Sequence, residues 1–174
     1  QLNSDEQFND TLPENSVKEI TIKKGGVSFL LCALMLGIKD RQVLSALFET
    51  GGFIQMMNDC QDMHKDTVSG IKTFVHFCGN FTEIYDRMEE ERVLVFSIVN
   101  SLELPESSKY RFLFSINAMF IVITYKLHRY SKICRSRLDF DAIGKMEKDA
   151  FRINPFSPAA ITSCMWKIAG FNNQ

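Results

Sequence analysis

The chain has 174 residues, 45% of them hydrophobic, with 20 basic against 21 acidic side chains and a formal net charge of −1. That length suits a single domain with a real core, and the near-cancelled charge excludes both a net basic field for nucleic acid and an acidic solvating tail. A phosphate-bearing ligand must then be held locally, by particular lysines or by a metal.

In chain order, residues 1–12 are polar and read as a flexible N-terminal segment, and 13–174 read as one all-α domain. Pro13 opens a helix predicted to run to about Leu36, with a kink at Gly25 and Gly26 and a stop at Gly37. Asp40 is the expected N-cap of a second helix that reaches about Asp66 before Ser69 and Gly70 break it. Further helices are predicted over Ile71 to Phe77, Phe81 to Leu102, Glu106 to Arg135, Phe140 to Phe151 and Pro158 to Ala169. The last carries Ser157 as N-cap, Pro158 at its first position and Gly170 past its end. No strand pattern, internal repeat or low-complexity tract interrupts this series.

The five cysteines, Cys32, Cys60, Cys78, Cys134 and Cys164, are widely spaced and lie in apolar segments. They read as reduced core thiols, which points to a cytoplasmic protein. The most apolar stretch, Phe112 to Tyr125, contains Ser115, Asn117 and Thr124 and falls short of the roughly 20 residues of a spanning helix, so a buried helix is expected there and no transmembrane segment. Nothing at the N-terminus has the pattern of a signal peptide.

The stretch IQMMNDCQDMHKDTVSGIKT, residues 54–73, places Asn58, Asp59, Asp62 and Asp66 inside an apolar run. Positions four apart advance about 40° round a helix, so Asn58, Asp62 and Asp66 form one stripe, continued by Gln55 and Gly51. Phe53, Met56, Cys60 and Met63 recur on the opposite side as a packing face. A solvent-facing stripe accounts for the acids. A hard divalent cation accounts for them too, since Mg²⁺ takes oxygen ligands and completes its shell with water and phosphate. Gly51 would leave space above Asn58 for a ligand, and Lys65 and Lys72 flank the site. Cys60 with His64, or His76 with Cys78, form a further candidate, for zinc, though neither pair has zinc-finger spacing.

The pattern Gly51-x-x-Ile54-Gln55-x-x-Asn58-Asp59-x-x-Asp62, followed by Gly70-Ile71-Lys72-Thr73, resembles the second aspartate-rich region of trans-prenyl diphosphate synthases. Asn58-Asp59-x-x-Asp62-x-x-Lys65-Asp66 is similar to the second metal motif of class I terpene synthases. Lys23-Lys24-Gly25-Gly26 resembles the diphosphate-contacting lysine segment of the prenyl synthases, and Arg129-Tyr130 the diphosphate-sensing pair of terpene synthases. The resemblance implies a terpenoid-synthase-type helical bundle that ionises an allylic prenyl diphosphate with Mg²⁺, or Mn²⁺ in its place. It implies metal ligation by Asn58, Asp59, Asp62 and Asp66, with catalysis through the metal at Asn58, Asp62 and Asp66. It assigns diphosphate binding to Lys23, Lys24, Gln55, Lys65, Lys72, Arg129 and Tyr130. Asp62 stands where terpene synthases have Ser or Thr, Asp66 where they have Glu, and Asn58 where prenyl synthases have Asp, which leaves cyclisation and chain elongation open.

No first aspartate-rich motif precedes Lys23, and the sequence begins at Gln1 without methionine. The expectation is therefore the C-terminal part of a longer fold, inactive alone, which either self-associates or joins its N-terminal half. The alternative is a non-catalytic helical partner or regulatory subunit of the same fold.

Overall fold

A computed structural model describes residues 12–151 and 157–171, and the described chain is helical with no strand. Helix α1 spans Glu14–Met35, α2 Arg41–Gln61, α3 Met63–Val68, α4 Phe81–Asn100, α5 Glu106–Ile133, α6 Phe140–Lys145 and α7 Pro158–Phe171. Short 3₁₀ turns at Phe74–Phe77 and Lys148–Phe151 complete the series. None of the described helices is long and apolar enough to cross a membrane. The expected flexible segment 1–12 falls almost entirely outside the described residues.

The end signals act as their chemistry requires. Gly37, at φ +77°, closes α1 in a Schellman turn: its N–H reaches Leu34 O at 3.0 Å and Ile38 N–H reaches Ala33 O at 3.0 Å. Gly70 closes α3 in the same way at φ +69°, with Ile71 N–H donating to Asp66 O at 2.9 Å. Asp40 caps α2, its carboxylate accepting from Gln42 and Val43 backbone N–H, and Asn80 caps α4 by accepting from Glu83 N–H. Ser157 caps α7 by accepting from Ala160 N–H, and that helix continues through Gly170 to Phe171.

Four predicted elements differ. α1 runs unbroken through Gly25 and Gly26, whose lack of side chains serves a crossing rather than a kink. The long acidic helix divides at Asp62, at φ −92° and ψ 7°, although Asp62 N–H still reaches Asn58 O and Asp66 N–H still reaches Asp62 O, each at 2.8 Å. The segments 71–77 and 140–151 hold only a 3₁₀ turn and a short helix followed by a 3₁₀ turn, each with a side chain capping its start. Thr73 N–H donates to His76 Nδ1, and Asp139 accepts from Ala142 N–H.

The core lies where α2, α4 and α5 meet. Phe53, Met56, Met57, Cys60 and Met63 pack against Ile84 and Met88 of α4 and against Leu113, Ile116, Phe120 and Leu127 of α5. The predicted packing face of the acidic helix is thus the buried one. The most extensive helix pairing is α1 with α2, and it is made possible by glycine. A Cβ on Gly25 would stand 2.0 Å from Gly51 O, and one on Gly51 would stand 2.5 Å from Gly25 O. Ion pairs from Lys18 to Glu91 and from Arg87 to Glu14 tie α1 to α4 as well.

Candidate functional site

The glycine crossing sets what α1 presents to the acidic segment. Gly51 is buried against Gly25, so it leaves no room for a ligand above Asn58; the space is filled by backbone. One turn before Gly25, Thr21 is buried against α2 and donates to Asp59 Oδ2 at 3.2 Å, while Gln55 Nε2 donates to Asp59 Oδ1 at 2.9 Å. Asp59 is therefore enclosed between two helices and bonded on both oxygens. Burial drives its carboxyl up to about 7, the bonds from Gln55 and Thr21 and the nearby charge of Lys24 pulling the other way and Asp66 adding to the rise. This corrects two assignments: Asp59 faces the α1–α2 contact rather than a metal, and the Gln55 amide is committed to Asp59 rather than to a diphosphate.

Asp62 and Asp66 occupy a different side. The backbone bonds across the break keep Asn58, Asp62 and Asp66 in succession at helical spacing. Asn58 is exposed, Asp62 is partly covered, and Asp66 is buried. Burial, with the neighbouring Asp62 charge, raises the Asp66 carboxyl to about 6 against the opposing charges of Lys65 and Lys24. Lys65 Nζ lies 3.3 Å from Asp62 Oδ2. The Asp62 charge and the charges of Lys65 and Lys24 thus act on Asp66 in opposite directions.

The far wall comes from α5. Lys126 Nζ donates to Gln61 Oε1 at 2.9 Å, and Asp62 is the charge that acts on it. One turn on, Tyr130 is buried and its hydroxyl donates to Phe151 O at 3.2 Å and Gln61 O at 3.4 Å. Between α2 and α5 runs a groove of about 390 Å³ lined by Ile54, Met57, Met119, Val122 and Ile123, with Asn58 and Gln61 at its polar edge.

The resemblance-derived lysines separate. Lys24 acts electrostatically on both Asp59 and Asp66, whereas Lys23 is half exposed and pairs with Glu19 at 2.6 Å. Lys72 stands near His76 in the turn that follows Gly70. Arg129 is exposed, and Tyr130 braces the end of α2 rather than presenting its hydroxyl to a ligand. The zinc pairings dissolve: Cys60 Sγ meets Met88 Sδ at 3.1 Å, His64 Nε2 bonds Met146 O at 2.9 Å, and Cys78 Sγ bonds Phe74 O at 3.6 Å.

No family model, curated protein or solved structure matches this chain. The site is thus read from its own geometry. Among the described residues no group of three or more His, Cys, Asp or Glu side chains is placed to cage a metal. The donors present, Asp62 and Asp66 with the Asn58 amide, suit instead a Mg²⁺ that keeps waters and shares a phosphate, a mode that needs only one or two carboxylates.

Lys126 and Gln61 were not signalled by the acidic motif. Lys126 lies four residues before Tyr130, hence on the same face of α5, and that spacing was the one available clue. Nothing in the sequence pairs it with Gln61, which is 65 residues away.

Proposed function

We propose that the Asn58, Asp62 and Asp66 face binds the diphosphate of an allylic isoprenoid together with Mg²⁺, as in the class I enzymes whose motifs the sequence resembles, and that the fold is the corresponding helical bundle. The observation that carries this reading is the Asp62–Asp66 pair, the second acid raised to about 6 by burial and by the charge of the first, with Lys24 of α1 acting on it from the neighbouring helix. Bound with a diphosphate, the cation would draw charge from the leaving group. Lys24 would neutralise phosphate oxygens, the groove would hold the hydrocarbon away from water, and Asp62 and Asp66 would fix the cation against α2 and α3. Only one acidic wall is present among the described residues, so binding without turnover is expected of this chain by itself.

The test is calorimetric titration of geranyl, farnesyl and geranylgeranyl diphosphates with Mg²⁺, alongside product analysis. Asp62→Ala should abolish most of the binding and leave the melting temperature unchanged, because the residue is on the outer face. No binding by the unaltered chain, or a fall in melting temperature with unchanged binding, would overturn the reading.

A non-catalytic helical partner of the same fold is the second reading, and the lack of a three-acid cage among the described residues favours it. It predicts association through the exposed Leu31, Leu34, Met35 and Leu36 surface without any Mg²⁺-dependent diphosphate binding. Sedimentation in the presence and absence of Mg²⁺ and diphosphate separates the two.

A further inference from the structure

We propose that Lys126 is a second phosphate-binding cation, reaching the same ligand from α5 while Lys24 reaches it from α1; this rests on the diphosphate reading of the Asp62–Asp66 face. No motif points to Lys126. Its place follows from how α5 is held. Tyr130, one turn further along, donates to Gln61 O and Phe151 O, which locks α5 against the last residue of α2. That lock delivers the Lys126 ammonium to Gln61 Oε1 at 2.9 Å, beside Asp62.

Three features make this partly covered lysine ready for an anion. Its hydrogen-bond partner is a neutral amide, and Asp62, whose charge acts on it, has its ion pair with Lys65. An ammonium carries three donors, and Gln61 occupies one. The apolar groove of about 390 Å³ between α2 and α5 has Gln61 in its lining, so an anion held by Lys126 would have its apolar remainder directed along Ile54, Met119 and Val122. Partial burial already weakens the hold of Lys126 on its proton, with Asp62 restoring part of it. A phosphate oxygen would restore more, in a shorter, charge-assisted bond. Gln61 then acts as the resting partner, released when the anion arrives.

The probe is inorganic pyrophosphate with Mg²⁺, titrated calorimetrically into the chain and into Lys126→Met, Lys126→Arg and Gln61→Ala, with a melting temperature for each. Lys126→Met keeps the apolar stem and removes the charge, and should weaken binding about tenfold or more and flatten its salt dependence. Lys126→Arg should recover most of the loss. Gln61→Ala frees the ammonium and should leave affinity equal or higher. If the unaltered chain binds Mg²⁺ pyrophosphate and Lys126→Met binds it equally well, Lys126 has no such role, and the diphosphate reading stands without it. A loss in Gln61→Ala as large as in Lys126→Met would show that the α2–α5 link, not the charge, matters. Absence of binding in the unaltered chain removes both proposals together.

Discussion

Asp59 shows how a residue inside a motif can serve the fold. Its carboxyl sits at about 7 against an ordinary 3.8, chiefly through burial between α1 and α2. The folded chain therefore keeps a proton that the unfolded chain releases, and stability is lost as pH rises from about 4 to about 7. The loss is on the order of 4 kcal/mol across that window. Asp66, raised to about 6, acts in the same direction over a shorter range. His76 acts oppositely: half-buried, it is lowered to about 4 from 6.5 by loss of solvent, so its contribution is lost as pH falls through that interval. Asp59→Asn should remove most of the decline above pH 4, and urea unfolding at pH 5 and pH 8 would show it as a smaller difference between the two midpoints. Identical pH dependence in the variant and the parent would mean that Asp59 is not enclosed as described. None of this was legible from the residue itself. Its neighbours Asn58 and Asp62 suggested a ligand, and the partner that decides otherwise, Thr21, is 38 residues away.

At the scale of the helices, the α1–α2 crossing ranks the glycines. A methyl on Gly25 or Gly51 would meet backbone, at 2.0 and 2.5 Å, and neither helix can yield without parting from the other. Gly25→Ala and Gly51→Ala should each cost about 3 kcal/mol or more, at the upper end of overpacking effects. Gly26→Ala meets the Phe48 ring, which can turn, and Gly52→Ala meets Ile22 at 3.0 Å, so both should cost less, with Gly52→Ala mildest. Chemical denaturation of the four variants gives the order, and equal effects at all four would contradict it. The brace between α5 and α2 is tested by Tyr130→Phe. Loss of the hydroxyl bonds to Phe151 O and Gln61 O should lower stability by about 1 kcal/mol. If Tyr130 contacts a diphosphate instead, the variant will lose affinity at unchanged stability. Gly51 had suggested a space for a ligand because periodicity places a residue on a face of its own helix and is silent about what stands opposite. Here the opposite element is Gly25.

For the molecule as a whole, the single tryptophan is a reporter of association rather than of unfolding. Trp166 on α7 is 84% exposed, beside exposed Met165 and Ile161. Its emission should already resemble that of the unfolded chain and change little in urea, while far-ultraviolet circular dichroism shows the transition. A blue shift that grows with protein concentration would mark the covering of α7, and a strongly blue-shifted dilute sample would contradict the exposed position. The all-helical class, the caps at Asp40 and Ser157, the stops at Gly37 and Gly70 and the buried face through Phe53, Met56, Cys60 and Met63 were determined by the sequence alone. Each depends on interactions within a few residues, or on a period that one helix carries by itself. The break at Asp62, the enclosure of Asp59, the pairing of Gly25 with Gly51 and the arrival of Lys126 beside Asp62 were decided only by the tertiary structure. Each requires two segments distant in the chain to meet, and a local pattern has no term for the groups that the other segment brings.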